Sequence, residues 1–168
     1  MAQLSGLAAR RVPMARRLET FTPYSFRSDA SVPAFDASQP LIVFDGVCVL
    51  CSGFAQFVMR HDKEGRFQLT MAQSPLGQAL YRHYRLDARE FETNLLIQDG
   101  RALGKMEGSA LILSQFGWPW RLAAGVQFLP PRLADWLYDK VARNRYRLFG
   151  KTETCMLPAP EWRGRIID

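Results

Sequence analysis

Cysteine is scarce in this 168-residue chain: there are three, Cys48, Cys51 and Cys155, an odd number with two of them only three positions apart. That excludes the even-numbered, widely spread framework that staples small secreted domains, and it points to a reducing compartment. Histidine is rarer still, with His61 and His83 alone. A tetrahedral metal site would have to gather Cys155 and a histidine from scattered positions, without the second spaced pair that zinc sites normally carry. Long apolar runs are missing too. The nearest approach, residues 110–129, contains Gln115, Arg121 and Gln127 and is broken by Pro119. It falls short of the roughly 18 uninterrupted apolar residues of a membrane span, so the expectation is a cytoplasmic protein with no transmembrane segment.

Hydrophobic residues make up 48% of the chain, enough for one core in a single domain of ordinary size. The formal charge is +6. Because the charges of both signs are interspersed, this excess is a bias toward acidic partners and predicts no specific nucleic-acid site. Residues 1–38 stand apart, with Arg10, Arg11, Arg16, Arg17 and Arg27 against Glu19, Asp29 and Asp36. They are expected to be a mobile extension, with organelle targeting the alternative for an Arg-rich, acid-poor start. Residues 39–168 are expected to form the domain, as a monomer.

The domain should open with Leu41, Ile42, Val43 and Phe44 as a buried strand, stopped by Asp45-Gly46. From Cys48, apolar residues recur at three- and four-residue spacing and describe a helix ending near Gly65. Phe67, Leu69 and Met71 alternate as a second strand, and Ser74-Pro75 supplies an N-cap and a first helical residue for a helix to Tyr84. Residues 93–98 and 101–105 flank Asp99-Gly100, a hairpin turn signal. Helices are predicted over 107–116, 118–128 and 132–146, followed by an irregular tail. The order β-α-β-α-β-β-α predicts an α/β fold with a helical C-terminal addition.

In Cys48-Val49-Leu50-Cys51 the two-residue spacer on the first turn of a helix brings both sulfurs within bonding range. Helix N–H groups and the positive end of the dipole favour a thiolate at the first cysteine, whose pKa in such pairs falls to roughly 3.5–7.5 from about 8.5. Cys48 is therefore the candidate nucleophile, exposed at the helix tip, and Cys51 the resolving thiol. The spacing also suits one half of a zinc site, and buried structural cysteines are the plainer alternative. Asp45, three residues upstream, could cap the turn or relay a proton. Arg143, Asn144, Arg145, Tyr146 and Arg147 mix cations with an aromatic at a helix end; besides capping it, Arg143, Arg145 and Tyr146 are candidate substrate contacts.

The run from Phe44 to Cys51 resembles the D-x-x-C-x-x-C signature of the DCC thiol–disulfide oxidoreductase family, also called DUF393. The likeness continues through Gly108-Ser109-Ala110, Trp118-Pro119-Trp120, Tyr138, residues 142–146 and Cys155. It implies a single thioredoxin-like domain and protein-disulfide oxidoreductase activity, with Cys48, Cys51 and Asp45 as the site. No cofactor is expected, since the cysteine pair itself holds the electrons, and the partner would be a protein or small-molecule thiol or disulfide. Laid over a thioredoxin, the cis-proline position falls at Glu92 or Thr93, neither of them proline; both are candidate substrate contacts. The alternatives are an interaction module working through the basic, aromatic C-terminal region, and a small zinc-stabilised domain.

Overall fold

Every residue of β1 (Leu41–Phe44) is buried, which its β-branched and aromatic side chains require of a strand covered on both faces. The computed structural model describes residues 18–91, 93–153 and 159–167. In it β1 lies inside a four-stranded sheet ordered β2-β1-β3-β4, with β2 at Gln68–Met71, β3 at Leu95–Gln98 and β4 at Arg101–Gly104. β2 runs parallel to β1, with Leu41 opposite Gln68, whereas β3 pairs antiparallel with both β1 and β4. Asp99 and Gly100, at φ 51° and 74°, make the tight turn between β3 and β4.

The pleat sorts the side chains into two cores. Ile42, Phe44, Leu69 and Leu96 meet Ala55, Val58 and Met59 of helix α1 (Val49–His61) and Ile112 of α3 (Lys105–Ser114). Leu41, Val43, Leu95 and Ile97 meet Leu76, Leu80, Tyr81 and Tyr84 at helix α2 (Pro75–His83) and its C-cap. As its sequence predicts, α2 opens on Ser74, whose hydroxyl accepts from Gly77 N at 3.0 Å. Gly77 is there for space: a Cβ on it would sit 2.1 Å from the Met71 carbonyl oxygen. Helices on both faces of a β-α-β-α-β-β-α chain give the expected mixed α/β, thioredoxin-like architecture. Helix α4 (Pro131–Phe149) is the C-terminal addition, packed on α1 and α3.

From the N-terminal extension, Leu18 and Phe26 are buried in the α2-side core, and Asp29 Oδ2 lies 2.8 Å from His83 Nδ1. Three expectations change. Trp120–Phe128 forms a 3-10 helix rather than an α-helix; none of its residues is buried, so no packed stripe holds a regular helix. Helix α4 runs to Phe149, beyond the expected end near residue 146. The tail is only partly irregular, because Pro160–Arg165 is a 3-10 helix and Ile166 bridges to Leu69 beside β2. Arg165 anchors it through Nε to the Phe67 carbonyl at 3.0 Å and Nη2 to the buried Asp62 carboxylate. No helix among the described residues is long and apolar enough to cross a membrane.

Candidate active site

β1 delivers its last residue to the floor of the site, and the chain must then turn into α1. Cys48 is the N-cap of that helix, in an extended conformation (φ −81°, ψ 121°), and its Sγ accepts from the Cys51 backbone N–H at 3.3 Å. A sulfur thus stands where serine or aspartate usually caps a helix. The Cys48 thiol is held down to about 6, first by a hydrogen bond from the Cys51 thiol, then by the Cys51 N–H and the charge of Arg145, against burial and the charge of Asp45. Cys51 moves the other way, pushed up because its proton is committed to Cys48, with burial adding to the shift. The two sulfurs are therefore unequal, and the lower pKa is that of Cys48.

Cys48 is nevertheless not exposed at the helix tip. It is 0% accessible and Cys51 8%. A short strap after α4 closes over it: Cys48 bridges Lys151 as an antiparallel pair, Val49 N donates to Gly150 O at 3.4 Å, and Thr152 N donates to Val47 O at 2.9 Å. Sequence reasoning placed these residues in an irregular tail and could not see the pairing, because three residues after a helix carry no strand signal.

Asp45 is fully buried beneath this turn. Its Oδ1 accepts from Val47 N at 3.1 Å and Gln73 Nε2 at 2.7 Å, and its Oδ2 from Arg145 Nη2 at 3.1 Å and the Tyr146 hydroxyl. It thus fixes the loop that enters the helix, while Cys48 caps the first turn. Arg145 is 3% exposed; Nη1 donates to Ala142 O at 2.7 Å and Nη2 to Glu90 O at 2.6 Å. Its guanidinium lies 4.2 Å over the Tyr146 ring. Burial alone would lower its pKa, but the Asp45 carboxylate and its other partners outweigh that and raise it. Burial, then Asp45, raise the Tyr146 hydroxyl.

The other predicted residues separate. Arg143 is exposed, 3.9 Å from Asp139 on the outer side of α4, away from the cysteines. Thr93 is buried and its carbonyl accepts from the Tyr81 hydroxyl. Glu92 and Cys155 lie outside the described residues. Both histidines are engaged elsewhere, His61 stacked 3.9 Å from Phe57 and His83 between Ser25 and Asp29. Gln73, directly before the N-cap of α2, was missed; its signal is only a polar residue in a turn that follows a buried strand.

Two cavities flank the cysteine turn. One, of 260 Å³, is mostly apolar and lined by Leu50, Cys51, Phe54, Leu113, Val141 and Arg145 among others. The other, of 610 Å³, lies beside the strap, with Gln73, Arg89, Tyr146 and Lys151 in its wall.

Comparison with known proteins accords with this geometry. The family described as DCC1-like thiol-disulfide oxidoreductase matches residues 42–151, from β1 through the strap. The chain is 35% identical over 127 residues to the uncharacterized protein YuxK of Bacillus subtilis, covering 76% of this chain and 93% of that one. It is 33% identical over 120 residues to a chloroplastic DCC family protein of Arabidopsis thaliana, covering 71% and 70% of the two chains. No solved structure matches it. With well over half of its length inside the matched region, the chain belongs to the DCC1-like thiol-disulfide oxidoreductase family.

Proposed function

We propose that this protein carries out dithiol–disulfide exchange through Cys48 and Cys51. The observation that carries the reading is the placement of the pair: Cys48 Sγ caps α1 and accepts from the Cys51 N–H at 3.3 Å, a position that favours a thiolate, and the Cys48 thiol is accordingly lowered to about 6 while Cys51 is raised. At neutral pH Cys48 is mostly thiolate. It attacks one sulfur of a partner disulfide, forming a Cys48–partner mixed disulfide and releasing the other partner sulfur as a thiolate, which takes a proton from water. Cys51 then loses its proton and attacks Cys48 Sγ; the Cys48–Cys51 disulfide forms and the second partner thiol leaves. Two electrons pass from the cysteine pair to the partner, and an external thiol returns them in the reverse sequence.

Asp45 and Arg145 position the pair, and they bias its charge in opposite senses. Both perturb Cys51: Asp45 raises its pKa and Arg145 lowers it. Asp45, a buried carboxylate whose charge acts on Cys51, is the candidate acceptor for the Cys51 proton, while Arg145 holds it in place. Reaching Cys48 requires the Gly150–Thr152 strap to lift, and the bonds that hold it are few. The pair stores the electrons itself, so this chemistry needs no dissociable cofactor. A reducing compartment suits it, either the cytoplasm or an organelle such as the one named for the Arabidopsis relative.

The reading is tested by trapping. Cys51→Ser should hold a partner or a model disulfide covalently on Cys48, released by reductant, while Cys48→Ser/Cys51→Ser forms no adduct. Partner retention by the double variant, with no reductant-sensitive adduct on Cys51→Ser, would replace exchange with simple binding.

A further inference from the structure

We infer that the apolar groove between α1 and α4 selects polypeptide substrates carrying a large apolar side chain next to the reacting cysteine. The inference rests on the exchange reading above and specifies its substrate class. Cys51 itself forms part of the groove wall, so whatever occupies the groove lies beside the resolving sulfur, three residues along α1 from its N-cap Cys48. Leu50 and Phe54 of α1, Leu113 of α3 and Val141 of α4 supply its apolar lining. Its volume of 260 Å³ falls just under the roughly 300–1,000 Å³ of small-molecule sites and suits a single side chain.

A further observation favours a polypeptide. From Val141, which lines the groove, an exposed apolar stripe runs along α4: Leu133, Leu137 and Val141 are 45%, 38% and 45% exposed, at the i, i+4, i+8 spacing of one helix face. Eight residues of helix extend this stripe about 12 Å, longer than a small thiol needs. Lys140 stands on the same helix next to the stripe and favours acidic residues in the partner segment.

The test compares three disulfides against the reduced full-length protein: a peptide whose cysteine is followed by Leu, the same peptide with Ser in that place, and bis(2-hydroxyethyl) disulfide. Rate constants come from stopped-flow fluorescence. The Leu peptide should react roughly tenfold or more faster than the Ser peptide, the range set by burying one large aliphatic side chain. In Val141→Asp, at a half-exposed position that does not threaten the fold, that ratio should fall below about threefold. Equal rates for the two peptides, or a ratio unchanged in Val141→Asp, would overturn the inference while leaving exchange intact if bis(2-hydroxyethyl) disulfide still reacts. No reaction with any of the three overturns the exchange reading and this inference with it.

Discussion

The guanidinium of Arg145 and the carboxylate of Asp45, a hundred residues apart in the chain, meet at 3.1 Å in the buried layer beneath the cysteine turn. Both side chains are almost wholly out of water, so neither can lose its partner cheaply. Arg145→Met should destabilise the protein by about 3–5 kcal/mol, because it strands a buried carboxylate. Asp45→Asn/Arg145→Met together should cost clearly less than the sum of the single changes. Urea unfolding of the four proteins checks this. Additive costs would show that the pair is not coupled.

The same pair sets signs on the thiol. The Arg145 charge lowers the Cys48 pKa and the Asp45 charge raises it, so Arg145→Met should move the midpoint of Cys48 alkylation above about 6 and Asp45→Asn below it. Iodoacetamide rates against pH, with the modified peptide mapped, give both midpoints. Stability follows from the same shift. The folded value, about 6, lies under the ordinary thiol value of about 8.5, so the folded state binds fewer protons between them. The contribution of Cys48 to stability is complete above about 8.5 and is lost as pH falls through about 6. Cys51, raised in the folded state, contributes an opposing slope only as pH approaches about 8.5, where its unfolded form begins to lose its proton, and because it is present in both proteins its ordinary titration is common to the two curves. The stability of reduced wild type relative to Cys48→Ala should therefore grow from pH 6 to pH 8.5; a flat difference contradicts the thiolate assignment.

The strap makes a third prediction. Thr152→Pro removes both the N–H and the hydroxyl that Val47 O accepts, at 2.9 and 3.1 Å, bonds that close the chain over Cys48. Alkylation of Cys48 should speed up by roughly tenfold, and by at least about twofold, the net worth of one to two such hydrogen bonds. An unchanged rate would mean that reagents reach Cys48 by another route.

The layered fold was legible because it rests on short-range patterns. The unbroken β-branched and aromatic run Leu41–Phe44 is the signal of a buried strand, and Ser74-Pro75 and Asp99-Gly100 punctuate the chain where their chemistry requires. Cys48 and Cys51 were legible through their spacing. What stayed hidden depends on long-range contacts. Arg145 sits in a cationic cluster that suggests exposure, and only the packing of α4 against α1 turns it inward onto Asp45. Arg165 was hidden in a tail rich in proline and glycine, although it closes on the buried Asp62 as an ion pair. The cover over Cys48 was hidden for the same reason, since Lys151 pairs with a residue more than a hundred positions earlier.

The most direct test of the account is a redox titration of the full chain against thiol–disulfide buffers, with the cysteine state read by mass spectrometry. The account predicts a single two-electron transition, a mass loss of about 2 Da from linking Cys48 to Cys51, and a midpoint within the roughly −270 to −120 mV range of exchange proteins. A pair that stays reduced throughout that range, or that only takes up single buffer thiols without closing the Cys48–Cys51 bond, would contradict it.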